Sequence, residues 1–238
     1  MPGYQTKQER IAVAGVPDLS VRSLLDREQF CDPMGEAERL GISSAAWPLF
    51  GLLWPSGAQL AARLALRPVS ATERILELGC GLALASLVGH RRGADVTASD
   101  CHPLAGHFLR ENLRLNALLP MKYRHGHWGR HESTDAAREE GPVLGRFELI
   151  IGSDVLYERG QPERLSAFIA HHAHAAVEVI IVDPDRGNRP HFNRCMDALG
   201  FARSERKVSL VPGTQLPYKG RVLTYHRDVL GAGELRSV

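Results

Sequence analysis

The run Ile75-Leu-Glu-Leu-Gly-Cys-Gly-Leu-Ala-Leu-Ala-Ser86 narrows the possible folds more than any other part of the chain. A short apolar stretch of strand length leads into two glycines, and Leu84, Leu87 and Val88 then recur at helical spacing. A strand that turns on glycines into a helix is the building unit of open α/β sheets, which bind ligands at the carboxyl ends of their strands. Gly79 and Gly81 let the backbone come close to a ligand at the start of the helix, so a nucleotide-type ligand is expected there.

The same alternation continues downstream. Arg74–Leu78, Asp95–Ser99, Lys122–His125, Phe147–Ile151, Val177–Val182 and Arg221–His226 read as strands, and Arg206–Leu210 supplies a seventh. Leu104/Phe108/Leu115, Leu165/Phe168/Ile169 and Phe192/Cys195/Met196/Leu199 mark helical faces between them. The expected architecture is a Rossmann-like, seven-stranded, mostly parallel sheet with helices on both faces. The loop 211–220 is too short for a helical crossover, so the last strand should run antiparallel. Residues 46–238 form this domain in the reading. Residues 1–45 are read as a helical extension packed on it, with a helix over Leu19–Phe30 capped by Ser20 and no strand. The polar stretch Glu132–Gly145 is read as a solvated surface loop.

At 238 residues with 44% apolar content, the chain can bury a substantial core. Its 29 Lys+Arg against 27 Asp+Glu give a formal charge of +2, which supplies no electrostatic reason for a nucleic-acid or membrane partner. The N-terminal residues lack the apolar core of a signal peptide, and no apolar run reaches the roughly 20 residues that span a bilayer. The expectation is a cytoplasmic protein.

Cys31, Cys80, Cys101 and Cys195 show no C-x-x-C spacing, which argues for buried free thiols rather than a zinc cage or disulfides. The histidines of His171-His-Ala-His174 do not converge on one helical face and are read as a solvated helix end. His125 and His127 would share one face of a strand, with no acid or thiol to complete a site. No metal is expected, and no G-x-S-x-G elbow points to Ser/His/Asp catalysis.

The residues around the glycine turn discriminate among nucleotide ligands. A dinucleotide fingerprint wants Gly or Ala where this chain has Leu84, and the Glu77 carboxylate would repel a pyrophosphate. A ligand with a cationic amino-acid end would be attracted instead, and S-adenosylmethionine is one. Asp100, beyond the second strand, is suitably placed to accept hydrogen bonds from both ribose hydroxyls, although NAD enzymes use an acid there too. The alternative for Asp100 is a helix cap ahead of Pro103.

Leu53-Trp-Pro-Ser-Gly57, Leu76-Glu-Leu-Gly-Cys-Gly81, His127-Trp-Gly129, Gly152-Ser-Asp-Val-Leu-Tyr157 and Asp183-Pro-Asp-Arg-Gly187 follow one another in order across residues 45–230. This set resembles the class I, seven-strand S-adenosylmethionine-dependent methyltransferases, and among them the D-x-x-Y protein lysine methyltransferases. The resemblance implies that Trp54 opens a helix over the cofactor pocket, that Trp128 borders the adenine, and that Ser153 joins Glu77, Gly79, Gly81 and Asp100 in holding the cofactor. Pro55 suits the first helical position, where its missing N–H costs nothing. Trp47 is read as an anchor for the N-terminal extension.

Two departures stand out. Ala83 replaces the last glycine of the family turn, and no N-P-P-Y/F motif of amide or base methyltransferases is present; Asp154 to Tyr157 occupies that site. A lysine acceptor must be neutral, which at pH 7 costs about 4.6 kcal/mol for an amine whose ordinary pKa is near 10.4. Asp154 is the candidate for orienting the amine, and Tyr157 for walling it in, with a helix cap as the structural alternative for Asp154. The acceptor expected is a protein lysine. The rival readings are a small-molecule acceptor in a pocket closed beneath residues 20–55, a non-catalytic cofactor-binding module, and a dinucleotide-dependent oxidoreductase.

Overall fold

Residues 3–128, 140–158 and 160–228 are described by the structure, a computed structural model. The chain opens with strands β1 (Thr6–Val13) and β2 (Val16–Leu24), then a short helix α1 (Glu36–Arg39) and a 3₁₀ helix over Trp47–Gly51. The alternating part follows as α2 (Pro55–Leu66), β3 (Arg74–Leu78), α3 (Leu84–Arg91), β4 (Asp95–Asp100), α4 (Ala105–Leu115) and β5 (Lys122–His125). It continues as β6 (Phe147–Ser153), α5 (Gln161–His172), β7 (Ala173–Asp183), α6 (Arg189–Ala198), β8 (Ala202–Leu210) and β9 (Pro217–Arg227).

Seven strands form one sheet in the order β5-β4-β3-β6-β7-β9-β8. All neighbours are parallel except β9, which runs antiparallel to both β7 and β8. The chain builds outward from β3 to β5, then returns to lay β6 on the other side of β3. That reversal leaves a crevice at the carboxyl ends of β3 and β6, where the ligand site of such sheets lies. The central strands carry near-continuous apolar runs because both faces are covered. Ile75 and Ile151 face the layer of α2, α3 and α4, while Leu76 and Ile150 face that of α5 and α6.

The sequence expectation for residues 19–30 is overturned. Val16–Leu24 is the second strand of a hairpin, turned by Ala14-Gly15 with Gly15 at φ +90°. Leu19, Val21 and Leu24 are buried in the main core; Leu19 and Val21 share one face of the strand, and Leu24, of the opposite parity, is buried at its end. The outer edge of β2 meets α4. Asn112 accepts the Arg22 N–H at 2.7 Å, Asn116 accepts the Ser20 N–H at 2.9 Å, and the Asn116 amide donates to the Ser20 carbonyl at 2.7 Å. Trp47 is 1% exposed and touches Tyr4, Phe30, Phe50 and His102, tying the hairpin end of the chain to the sheet layer.

Several smaller expectations also change. Of the loop read over 132–145, residues 132–139 lie outside the described residues, while Val143 is 3% exposed and belongs to the core. His172 is buried rather than solvated, with its Nδ1 3.0 Å from the Gly145 carbonyl, and His174 lies in β7. Only Cys80 of the four thiols is buried; the others are partly exposed. His127 falls beyond the end of β5, so it shares no strand face with His125.

Candidate cofactor and acceptor site

The turn after β3 is built on alternate left-handed residues: Gly79 at φ +56°, Gly81 at +53° and Ala83 at +58°. Only the first two are glycines, and Ala83 carries the strain that an L side chain meets in this region. Both glycines are also required for space. A Cβ on Gly81 would stand 2.8 Å from the Phe50 carbonyl oxygen, and one on Gly79 would stand 2.9 Å from Val155. The turn is thus clamped between the 3₁₀ helix and the loop after β6.

Beside the turn lies a cavity of about 580 Å³, within the range of small-molecule sites. The nine residues expected from the sequence, Trp54, Glu77, Gly79, Gly81, Asp100, Trp128, Ser153, Asp154 and Tyr157, all line it. They arrive from α2, β3, β4, the loop after β5 and the end of β6, all at one edge of the sheet.

Asp100 is 7% exposed; its Oδ2 accepts the Gly81 N–H and its Oδ1 the His102 N–H, each at 2.8 Å. Burial raises its pKa, while these backbone donors oppose the rise. With backbone N–H groups of Gly81, His102 and Cys101 directed at it, the carboxylate still has acceptor capacity for a ligand hydroxyl. Glu77 is 3% exposed and receives the Ser86 backbone N–H at 2.9 Å and the Ser86 hydroxyl on the same oxygen. Burial pushes Glu77 up to about 7. His102 stacks on Phe50 with ring centroids 3.7 Å apart, and burial lowers its pKa to about 3, so its ring is neutral.

Two buried polar atoms on cavity-lining residues, Trp128 Nε1 and His102 Nε2, have no hydrogen-bond partner among the described residues. Trp54 sits at the N-cap of α2 with Pro55 in the first turn, and its Nε1 donates to the Leu49 carbonyl at 2.9 Å.

In the wall of the same cavity, next to Val155, Asp154 occupies a left-handed conformation at φ +56° and donates its N–H to the Val182 carbonyl at 2.8 Å. It caps no helix; α5 begins at Gln161 after Gly160. Its two carboxylate oxygens are held by Arg186, Nε to Oδ1 at 2.7 Å and Nη2 to Oδ2 at 3.0 Å. Tyr157 stands in the same wall, and burial pushes its phenol up.

The sequence profile of the family described as lysine methyltransferase matches residues 51–193, more than half of the chain, including the glycine turn, Asp154 and Arg186. This chain belongs to the lysine methyltransferase family. An electron transfer flavoprotein β-subunit lysine methyltransferase from Xenopus laevis is 29% identical over 71% of this chain and 64% of its own length. The Danio rerio counterpart is also 29% identical, over 58% of this chain and 51% of its own. A calmodulin-lysine N-methyltransferase from Arabidopsis thaliana is 26% identical over 75% of this chain and 58% of its own. The chain therefore spans between half and two thirds of these relatives. Among solved structures, a Pyrococcus furiosus methyltransferase superposes with TM-score 0.54 at 18% identity, covering 81% of this chain and 98% of that one. A Thermus thermophilus 16S rRNA guanine methyltransferase does so with TM-score 0.58 at 18% identity, over 94% and 51%. These two likenesses establish the fold.

The cavity wall also contains residues that sequence reasoning did not single out. Phe50 and His102 form a stacked pair in the cavity wall, and Arg27 and Arg164 line the cavity from the N-terminal segment and α5. The largest omission is Arg186, which sits within the Asp183-Pro-Asp-Arg-Gly187 run. Its signal is a cross-loop pairing 32 residues apart in sequence, which no local periodicity reveals.

Proposed function

We propose that this chain transfers a methyl group from S-adenosylmethionine to the side-chain amine of a protein lysine. The observation that carries the reading is the joining, in one cavity, of a glycine turn anchored by Asp100 to an acceptor end bearing Asp154 and Tyr157. Bound S-adenosylmethionine would supply an electrophilic methyl on a sulfonium sulfur.

The residues present fit that cofactor. Asp100 offers lone pairs to two ribose hydroxyls, the Gly79–Gly81 backbone admits close approach, and Trp128 offers an indole face on which an adenine can stack, worth about 1–3 kcal/mol. Ser153 and Glu77 serve the amino-acid end, where the positive ammonium complements the acidic side of the turn. Trp54 closes the channel from α2. Asp154 orients the acceptor nitrogen by accepting one of its N–H bonds, and the Tyr157 ring excludes water from it. We read residues 1–45 as an extension of the domain formed by 46–238, contributing Arg27, Leu40 and Ile42 to the cavity.

That contribution also favours a second reading, a small-molecule acceptor enclosed beneath the N-terminal segment. One experiment separates the two. Labelled methyl from S-adenosylmethionine is followed in a lysate of the source cell, comparing wild type with Asp154→Asn and resolving protein from low-mass products. A discrete labelled protein that disappears with Asp154→Asn, while S-adenosylhomocysteine binding persists, is the expected result. Electron transfer flavoprotein β-subunit and calmodulin are the first purified acceptors to assay, because the relatives are named for them. Label confined to the low-mass fraction would overturn the protein-lysine reading.

A further inference from the structure

A carboxylate beside the acceptor nitrogen creates a chemical conflict. A lone negative charge stabilises the ammonium form of a nearby amine and raises its pKa by about 1–3 pH units, which opposes the neutral nucleophile that methyl transfer needs. The geometry at Asp154 offers a resolution.

We propose that Arg186 is a permanent charge-cancelling partner of Asp154, so that the carboxylate can accept an N–H from a neutral amine without drawing that amine toward its ammonium. The inference rests on the lysine methyltransferase reading above.

Three observations carry it. The pairing is bidentate, at 2.7 and 3.0 Å, and the Asp154 side chain is only 11% exposed, so water does little to screen its charge in place of the arginine. Both residues line the same cavity, so an amine reaching Asp154 also meets the guanidinium. A cation beside an amine disfavours the ammonium form, adding to the cancellation. Finally, the pair is held from behind on both sides. Asp154 is pinned by its N–H to Val182. The loop carrying Arg186 is fixed by the Asp185 N–H on Asp183 at 3.0 Å and by the Asn188 amide, which donates to the carbonyls of Leu156 at 2.9 Å and Glu158 at 3.2 Å. Asn188 thereby ties the arginine's loop directly to the loop that follows Asp154.

The other charged and titratable groups around the pair come from each neighbouring element. Asp183 ends β7 and is fully buried; Asp185 is engaged by Arg189 and Arg221. Tyr218 on β9 shares its hydroxyl with Ser56 of α2 at 2.8 Å, and Tyr157 and Glu158 follow Asp154 itself. Arg164 from α5, Arg27, His127 beyond β5, Cys101 and the buried Glu77 and Asp100 line the same cavity. Among the described residues, Arg186 is the group that holds both oxygens of the Asp154 carboxylate.

The test uses n-butylamine as the amine probe, binding to the full-length protein saturated with S-adenosylhomocysteine, between pH 7 and 9. Wild type should bind only the neutral amine, so that affinity rises about tenfold per pH unit below a lysine-like pKa near 10.4. Arg186→Lys should keep that slope. Arg186→Met should lose it and bind at least tenfold more tightly than wild type at pH 7, because the uncovered Asp154 takes the ammonium. A wild-type affinity that is flat with pH, or an Arg186→Met slope equal to that of wild type, would overturn the proposal. Arg186→Gln gives the same comparison if the methionine variant does not fold, with retained S-adenosylhomocysteine binding as the folding control. Transfer of labelled methyl into protein of the source-cell lysate, measured on the same preparations, tests the parent reading separately. Absent transfer with the amine-binding pattern intact would remove the proposed activity and leave the charge pairing standing.

Discussion

Ser86 donates twice to a single oxygen of Glu77, through its backbone N–H at 2.9 Å and through its hydroxyl, and so anchors the first turn of α3 to the strand before it. The bonded carboxyl is nevertheless so buried that its pKa rises from the usual 4.5 to about 7. Between these values the folded protein holds a proton that the unfolded chain has released. Stability therefore falls as pH rises from about 4.5 to about 7, by on the order of 3 kcal/mol from this residue. Asp183, raised to about 6 by burial, acts in the same direction between about 3.8 and 6. Urea unfolding at pH 5 and pH 7.5 should show Glu77→Gln with a markedly smaller loss across that interval than wild type. An identical loss in both would show that Glu77 is not the titrating group.

Ala83 tests how three opposing effects balance. Its left-handed conformation costs about 1–2 kcal/mol, so glycine would relieve strain. Glycine would also lose a fully buried methyl, about 0.8 kcal/mol, and about 0.5–1 kcal/mol of chain entropy. The sum is close to zero, and Ala83→Gly should shift stability by less than about 1 kcal/mol. Ala83→Val, β-branched at a positive φ in a fully buried position, should lose more than about 2 kcal/mol in the same chemical unfolding measurement.

At Gly81 the effects reinforce each other. Alanine there meets the left-handed penalty and a backbone oxygen of Phe50 at 2.8 Å, which has no rotamer to yield. Gly81→Ala should cost about 2–4 kcal/mol and push the 3₁₀ helix off the turn, weakening S-adenosylhomocysteine binding at least tenfold by calorimetry. Unchanged affinity would mean that the turn and the 3₁₀ helix move independently of the site.

Trp47→Ala removes one of the largest fully buried side chains and should cost about 3–5 kcal/mol. Because the indole touches His102 and Phe50 as well as Tyr4 and Phe30, the loss should appear both in thermal unfolding and as weaker cofactor binding. A stability loss with unaltered binding would confine Trp47 to an anchoring role.

The sheet was legible because strand segments such as 179–182 are buried on both faces and apolar throughout. The site was legible because its residues lie at the ends of those strands, where chain order sets position. The N-terminal hairpin was not. Lys7, Gln8, Glu9 and Arg10 leave β1 an apolar face of only Ile11 and Val13, and Leu19, Val21 and Leu24 satisfy a helical and a strand pattern about equally well. Pairing with a polar partner and docking against α4 decide between them, and both are tertiary facts. The Asp154–Arg186 pair was hidden for a related reason. Each residue is visible in its own motif, but the contact exists only because β6 and β7 are adjacent in the sheet.

The two asparagines of α4 have a consequence beyond holding the hairpin. Spaced one helical turn apart, Asn112 and Asn116 present amide groups to Ser20 and Arg22 much as the backbone of a third strand would. The outer margin of β2 is thereby closed to recruitment by another molecule. A two-stranded ribbon is ordinarily an invitation to edge-to-edge aggregation, and here a helix answers it with side chains.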